Sequence, residues 1–377
     1  MDGAIQARRQ ATATAMGGAS GYLTIDLAAI ARNYEKLAAE VAPARAAAVV
    51  KADAYGLGAN RVAARLYEHG CRHFFVAQFV EALRLQPSLA ADATVYVLNG
   101  LLPGNETACV EHGIVPVINS LEQLQRWNET AKALGRKLPA ALQFDTGMSR
   151  LGVPPSERAA VASQLTASSS IDVQFIMSHL ASADEAESEQ NGSQLAEMNR
   201  ITAEFPEFDL CLANSGGIFL GRPYHGVLAR PGIALYGGAP TANQPNPMEP
   251  VLRLDVAVVQ TRTVPAGARV GYSGTHIAAG ETRLATIAVG YADGLPRSLS
   301  GRGAVYCDGI RLPIVGRVSM DSITIDISAL PEARLHLGSL VEVFGPNQTL
   351  EDIARDAGTI SYEILTGLGQ RYERQYR

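Results

Sequence analysis

The chain has 377 residues, of which 47% are hydrophobic, and a formal net charge of -5. This length is enough to bury a large core in about two domains. The small negative charge, without a basic run or stripe, argues against nucleic acid and anionic membrane surfaces as partners and favours a small-molecule substrate. No apolar stretch reaches the roughly 18 residues that cross a bilayer.

Residues 1–21 are rich in Ala, Thr, Gly and Gln, and no apolar core follows Arg8 and Arg9. We therefore expect a disordered leader rather than a signal peptide. The cysteines are widely spaced and lack a CxxC motif, which favours reduced, buried thiols in a cytoplasmic protein over a disulfide or a metal site. They are Cys71, Cys109, Cys211 and Cys307.

From residue 46 onward, short apolar runs typical of buried strands alternate with helix-like segments such as 60–69 and 120–137, with Asn60 and Ser120 as predicted N-caps. Strand starts recur roughly every 27 residues, as in a (β/α)8 barrel, which we predict over residues 22–240. A doubly wound sheet is the alternative, but the GxGxxG turn that often follows its first strand does not occur here. The eight predicted strands are 46–51, 73–78, 94–99, 114–119, 140–145, 173–179, 209–214 and 232–237.

The sequence changes character after residues 241–250, which are rich in Pro and Asn as linkers often are. Between residues 251 and 343, short alternating apolar runs are separated by Gly and Pro, a pattern typical of β structure. Two short helices are predicted after the hydroxyl caps Thr349 and Ser361. The expected architecture is an α/β barrel followed by a mostly β domain over residues 241–377.

A lone lysine, Lys51, ends the apolar run 46–50 and precedes Asp53, Tyr55 and two glycines. A lysine at the carboxyl end of a buried strand has an apolar environment that lowers its pKa, and a neutral amine can form a Schiff base. A lysine whose amine reaches solvent from a core strand is the alternative interpretation of this segment alone.

Other polar residues also follow predicted strands, and the carboxyl ends of barrel strands form one rim where chemistry gathers. Loops after strands seven and eight commonly grip a phosphate through backbone N–H groups. A Schiff-base lysine with a phosphate site is what pyridoxal 5'-phosphate (PLP) requires, although a phosphosugar aldolase would need similar parts. The rim residues are Lys51, Asp145, Arg150, His179, Asn214, Ser215 and Arg230.

Nine motifs, in order from about residue 22 to the C-terminus, resemble those of the alanine racemase family, which consists of fold type III PLP enzymes. They span both predicted domains, and nine ordered motifs are very specific to that family. They are VVKADAYGLG, LQFDTGMSRLGV, SHLASADE, ANSGG, RPGIALYG, VGYSGTH, TIAVGYADG, GRVSMDS and ISYEIL.

The resemblance implies that Lys51 holds the PLP aldehyde and serves as base on one face of the substrate α-carbon. Tyr272, from a second subunit, would act on the opposite face, so that configuration is inverted. Because free tyrosine has a pKa of about 10, nearby positive charge is required, and we expect Arg230 and His179 to supply it. Arg230 would also face the pyridine nitrogen and leave it unprotonated.

The resemblance further implies contacts with the cofactor and with the substrate alanine, and no metal. The phosphate contacts would be Tyr55, Ser215, Gly232, Ile233 and Tyr362, with Asn214 beside them. The substrate carboxylate would meet Arg150 and the partner subunit's Met320, while Tyr291 and Asp321 would line the entrance.

Three positions depart from the family pattern. Gln143 stands where many members have a carbamylated lysine that holds the arginine corresponding to Arg150. Ser319 stands where cysteine is common and Asp53 where asparagine is usual, changes that would bear on substrate preference.

A site shared between subunits requires a homodimer, which is also the commonest assembly. Two other functions stay open: a barrel protein that binds PLP without turnover, and a racemase of broader or serine specificity. The sequence also leaves open whether D-alanine is made for peptidoglycan or degraded.

Overall fold

The computed structural model describes residues 18–165 and 170–377. The described part of the chain forms two compact units, one of residues 28–249 and one that joins the residues up to Leu27 with Pro250–Arg377. The predicted leader lies mostly outside the described residues, and its last residue, Gly21, begins a strand. The sequence boundaries at residues 22 and 241 therefore differ from these units by a few residues at each end.

The α-helices alternate with strands in the first unit, and in the second unit two helices precede the last strand. The helices are Leu27–Val41, Lys51–Gly56, Ala59–Glu68, Phe79–Leu85, Glu106–Glu111, Leu121–Leu134, Arg158–Gln164, Glu189–Glu204, Ser215–Phe219, Leu350–Ala357 and Ser361–Gly367. The strands of the first unit are β2 (Arg45–Ala46), β3 (Ala48–Val49), β4 (His73–Val76), β5 (Thr94–Val97), β6 (Val115–Ile118), β7 (Leu138–Gln143), β8 (Ile171–Met177), β9 (Leu210–Cys211) and β10 (Leu228–Ala229).

The strands of this first unit form a closed parallel barrel. Strands β3 to β9 pair in sequence order, each parallel to the next, and β10 pairs in parallel with β2. The N–H of Arg230 donates to the carbonyl of Ala213 at 2.8 Å, and that of Ala47 donates to Ala229 at 2.8 Å, so backbone bonds continue around the ring. The predicted α/β barrel is confirmed.

The eighth strand was predicted at the wrong place. Residues 232–237 contain a buried 3-10 helix, Ile233–Tyr236, while the eighth strand is β10, Leu228–Ala229. A short apolar run reads the same whether it is a strand or a buried helical turn. Gly237, with φ of 79°, ends this turn in the left-handed region.

The second unit is built on β11 (Leu252–Val264), a long strand that pairs with three others. Its first half alternates between buried and half-buried residues, whereas its last residues are exposed. Strand β1 (Gly21–Ile25) lies between β11 and the C-terminal strand β19. The remaining strands are β12 (Arg269–Val270), β13 (His276–Ile277), β14 (Thr282–Ile287), β15 (Ala304–Cys307), β16 (Ile310–Pro313), β17 (Ile323–Asp326), β18 (Leu340–Phe344) and β19 (Glu373–Tyr376).

Two of the four predicted helix caps are present. Ser120 accepts a hydrogen bond from the N–H of Gln123, and Thr349 accepts one from Asp352. Asn60 and Ser361 lie inside their helices instead, because the N-cap positions are occupied by Gly58 and Ile360. The four cysteines are free and buried, as expected.

Candidate active site

Lys51 begins a short turn of unusual handedness at the carboxyl end of β3. Ala52, Asp53, Ala54 and Tyr55 all have φ between 51° and 56°, so the Lys51 turn (residues 51–56) is left-handed. A left-handed helical conformation costs roughly 1–2 kcal/mol per residue for L-amino acids. Such strain persists only where surrounding contacts impose it, and it concentrates at functional sites.

The environment of Lys51 lowers the pKa of its amine. Burial contributes most, and the positive charges of Arg150 and Arg230 act in the same direction. The carboxylate of Glu81 opposes them. Arg150 and Arg230 therefore lie close enough to Lys51 for their charges to act on its amine. Together with burial, they increase the fraction of neutral amine, which can act as a nucleophile or base.

Arg230 is buried and held by neutral acceptors. One terminal nitrogen donates to the carbonyl of Cys211 at 2.9 Å and to its Sγ at 2.9 Å. The other donates to the carbonyls of Ser178 at 2.7 Å and Leu212 at 3.3 Å. These contacts fix the guanidinium without neutralising its charge, so a full positive charge remains inside the barrel.

His179 is neutral near pH 7. Burial, followed by the charges of Arg230, Arg150 and Lys51, lowers its pKa to about 3. The expectation that His179 supplies positive charge was therefore wrong, because three neighbouring cations and burial exclude its protonated form. Arg230 carries the charge at this position.

The predicted phosphate residues of the barrel lie together. The Oγ of Ser215 accepts hydrogen bonds from the N–H of Gly232 at 2.9 Å and of Ala234 at 3.3 Å. A Cβ added to Gly232 would lie 2.3 Å from the Oη of Tyr55, so this hydroxyl rests against the glycine backbone. Ile233 follows directly in the buried turn. Ser215, Gly232, Ile233 and Tyr55 thus form one cradle.

Asn214 shapes the loop that carries Ser215. Its Oδ1 accepts a hydrogen bond from the N–H of Gly217 at 2.9 Å, and its amide nitrogen donates to the carbonyl of Leu180 at 3.2 Å. The next residue, Gly216, has no room for a side chain, because a Cβ would lie 2.6 Å from the carbonyl of Ala183. Asn214 is therefore a structural cap within the cradle.

The loop that ends at Arg150 is organised by Asp145. Its Oδ1 accepts hydrogen bonds from the N–H groups of Gly147, Met148 and Ser149 at 2.9 to 3.1 Å. Ser149 has a φ of 56°, which turns the chain before the exposed Arg150. Gln143 ends strand β7 nearby in sequence and is buried.

Tyr272 belongs to the second unit, in a tight loop between β12 and β13. Gly271, with φ of 72°, precedes it, and a 3-10 turn covers Tyr272–Gly274. The side chain of Tyr272 is 70% exposed in the single chain. An exposed tyrosine on a loop fixed at both ends by strands is available to another molecule.

Met320, Asp321 and Tyr291 lie on two loops that hydrogen-bond to each other. The N–H of Tyr291 donates to the carbonyl of Ser319 at 3.0 Å, and Ala292 donates to Met320 at 3.1 Å. Tyr291 and Met320 are exposed. The structure thus brings together the three residues that the resemblance assigns to the substrate contact and the entrance.

An ion cluster ties these two loops. Arg371 donates through Nε and a terminal nitrogen to both carboxylate oxygens of Asp293, at 2.6 and 2.8 Å. Its other terminal nitrogen donates to Asp321 at 2.7 Å. Asp293 is buried and also accepts a hydrogen bond from the N–H of Gly290 at 2.9 Å.

Tyr362, the remaining predicted residue, is exposed near the start of helix Ser361–Gly367.

Sequence reasoning missed Glu81, Asp293 and Arg371. The spacing of Gln78 and Glu81 is a local capping signal, and a capping box is present at that helix start. The pairing of Arg371 with Asp293 joins positions far apart in the chain, which a single sequence does not reveal.

Among the described residues, no group of three or more His, Cys, Asp or Glu is arranged to hold a metal, and no helix is long and apolar enough to cross a membrane.

Comparison with known proteins gives matches over almost the whole chain. Residues 25–240 and 251–376 match the family models described as the N-terminal and C-terminal domains of alanine racemase. A catabolic alanine racemase of Rhizobium johnstonii is 70% identical over 377 residues, covering 100% of both chains. One of Agrobacterium fabrum is 61% identical over 362 residues, covering 96% of this chain and 93% of the relative. The crystal structure of alanine racemase from Bartonella henselae with covalently bound pyridoxal phosphate has a TM-score of 0.92 at 43% identity, over 95% of this chain and 100% of that one.

Proposed function

The chain belongs to the alanine racemase family, whose members are amino-acid racemases, and on this premise we propose that it interconverts L-alanine and D-alanine with PLP as cofactor. The observation that carries the proposal is the position of Lys51. Its amine, with a lowered pKa, ends a barrel strand in the field of Arg230 and Arg150. The resemblance stated from the sequence is confirmed at the level of the family.

The barrel residues fit the cofactor. A phosphate requires several donors in one small space, and Tyr55, Ser215, Gly232 and Ile233 meet there. Lys51 would hold the aldehyde carbon, while the cationic Arg230 would face the ring nitrogen and leave it unprotonated. Bound PLP supplies the electron withdrawal that makes the α C–H of an amino acid acidic.

Lys51 and Tyr272 would move the protons. Lys51 Nζ would hold or release a proton on one face of the substrate α-carbon, and Tyr272 Oη would do so on the other. Removal on one face with delivery on the opposite face inverts configuration. Because His179 is neutral, the positive charge that favours an ionised tyrosine would come from Arg230.

Two further residues would hold the substrate carboxylate. Arg150 offers a planar set of N–H donors suited to a carboxylate, and its exposed position at the loop end leaves it accessible. The N–H of Met320 would act from the second subunit, with Tyr291 and Asp321 at the entrance. Such fixed donors select for an α-amino acid but discriminate alanine from serine only weakly.

The assembly would be a homodimer with shared sites, in the cytoplasm. The 70% exposure of Tyr272 and the exposure of Met320 in the single chain support this proposal, because a catalytic tyrosine needs a partner surface. The two curated relatives above are named catabolic, which supports a role in the use of alanine as a nutrient rather than in D-alanine supply.

In the deciding experiment, the purified protein is given PLP and L-alanine in heavy water. The formation of D-alanine and the incorporation of deuterium at the α-carbon are then measured. We expect D-alanine that carries solvent deuterium, with L-serine converted more slowly in a parallel reaction. Lys51→Ala should lose both the absorbance of the attached cofactor and the turnover. A protein that binds PLP without incorporating deuterium would contradict the racemase proposal.

The shared site is tested by mixing two inactive variants, Lys51→Ala and Tyr272→Phe, under conditions that exchange subunits. If each site uses Lys51 of one chain and Tyr272 of the other, every dimer with one chain of each variant contains one intact site. With random exchange of an equal mixture, about a quarter of all sites are then intact. If both residues act within one chain, no site is restored. Sedimentation of the mixture checks that dimers have formed.

A further inference from the structure

Glu81 contacts the Lys51 turn directly. One of its carboxylate oxygens accepts hydrogen bonds from the N–H groups of Ala77 and Gln78, each at 2.8 Å. The other accepts the N–H of Ala52 at 2.5 Å. Ala52 is the residue after Lys51 and the first left-handed residue of the turn.

Helix capping explains only half of this arrangement. A capping glutamate three residues into a helix reaches back to the residue before the helix, and the bond to Gln78 does this. The bond to Ala52 instead joins the helix Phe79–Leu85 to a different loop. A carboxylate that accepts backbone N–H groups makes charge-assisted bonds, which are stronger than neutral ones.

The Lys51 turn needs such an anchor. Four consecutive left-handed residues are strained, and three of them are alanine or tyrosine, which gain nothing from this conformation. Asp53 supplies a second anchor, because its Oδ1 accepts the N–H of Ala59 at 2.7 Å. Asp53 fixes the far end of the turn, whereas Glu81 fixes the end at Lys51.

Glu81 is also the nearby anion that favours the charged form of Lys51. The other charged groups that act on this lysine, Arg150 and Arg230, disfavour that form, and His179 beside them is neutral. Loss of the Glu81 charge would therefore leave only burial and cations acting on the amine.

We propose that Glu81 is a positioning residue for the reaction, holding the left-handed turn that aims Lys51 and setting the charge environment of its amine. This inference rests on the proposed role of Lys51 as a base. Glu81 itself touches neither the cofactor nor the substrate in this assignment.

The first test is hydrogen exchange of the full-length, PLP-loaded protein with Glu81→Gln and Glu81→Asp. Glutamine turns one acceptor oxygen into a donor, and aspartate keeps the charge but is one methylene shorter. In both variants we expect the amide of Ala52 to exchange roughly tenfold faster, since a hydrogen bond to a charged group is lost. Glu68→Gln is the control, because Glu68 is exposed and pairs with Arg65 within the helix Ala59–Glu68, away from the Lys51 turn.

The second test is the pH dependence of the exchange of the α-proton of alanine with heavy water, measured for each enantiomer in a Tyr272→Phe background. kcat/KM cannot separate the two bases, because the equilibrium constant of a racemisation is one and both directions share a single value. Without Tyr272, exchange takes place on the face of Lys51, and its acidic limb should move to lower pH in Glu81→Gln but not in Glu81→Asp. A group that merely stabilises the fold would leave this limb in place.

Two results would overturn the proposal: exchange at Ala52 in Glu81→Gln equal to that of the control, or an acidic limb that does not move. Should Glu81→Gln fail to fold, Glu81→Asp still decides the amide exchange result. The amide exchange measurement needs no amino acid substrate, so failure of the racemase proposal is distinguishable from failure of this one.

Discussion

Replacing Gly232 with alanine should damage the phosphate cradle by a purely steric route. The added Cβ would lie 2.3 Å from Tyr55 Oη and 3.1 Å from its Cζ, whereas ordinary contact begins at 3.4 Å. The tyrosine must therefore move by about 1 Å, the difference between these distances. Gly232 has a φ of -123°, which lies outside the left-handed region that favours glycine.

This displacement cannot be absorbed locally. The ring of Tyr55 packs on Tyr236 with centroids 4.7 Å apart, and Tyr236 donates to the carbonyl of Val49 at 2.8 Å. Tyr55 also ends the left-handed part of the Lys51 turn. Overpacking of this kind costs about 1–3 kcal/mol of folding free energy. A misplacement of about 1 Å at reacting groups lowers turnover roughly a hundredfold.

The assay combines three measurements on Gly232→Ala: PLP titration by absorbance, kcat/KM for L-alanine, and urea unfolding. Gly192→Ala is the matched control, because that helix position has nothing within 4 Å of an added Cβ. The double variant Gly232→Ala with Tyr55→Phe removes the colliding oxygen but leaves Cζ at 3.1 Å from the added Cβ, so it should regain part of the lost stability but not the cofactor affinity. Wild-type PLP affinity and stability in Gly232→Ala would refute the steric reasoning.

Three further predictions follow from other parts of the molecule. Because Gln143 cannot carry a carbamate, turnover should not change when bicarbonate and carbon dioxide are stripped from the buffer; a reversible loss of rate would contradict this. Arg371→Lys loses the two-pronged bond to Asp293 and loosens the loop of Met320, so KM for alanine should rise by more than kcat falls; equal effects on both would count against the loop assignment. Burial, with a contribution from Arg45, lowers the pKa of His73 from 6.5 to about 4, so the unfolded chain binds more protons between those values and stability falls as pH decreases through this window. Urea unfolding of His73→Gln should show a flatter decline there, while the exposed His112→Gln should keep the wild-type slope.

The sequence determined those features that depend on nearby residues. Ser120 and Thr349 cap their helices because each hydroxyl accepts a hydrogen bond from the backbone N–H three residues later in the chain. Such a cap depends on four consecutive residues and can therefore be predicted from the sequence. The recurring apolar runs likewise predicted the barrel, since each strand must bury its own side chains. Lys51 was recognisable because a buried run ends at a lone basic residue.

Tertiary structure decided what depends on partners far along the chain. Strand β10 is only two residues long, and it is a strand because Leu228 and Ala229 pair with Arg45 and Ala46. Strand β1 joins the second unit through β11 and β19, which lie more than 200 residues further along the chain. No pattern within such short segments specifies these pairings.

The same reason explains the chemistry of the site. The sequence located Lys51, His179 and Arg230, but not the left-handed turn, the bond from Ala52 to Glu81, or the neutral state of His179. Handedness and protonation are set by the contacts and charges that folding assembles around a residue. The handedness of the turn and the protonation state of His179 therefore depend on burial and on cations from distant segments, which only the folded chain brings together.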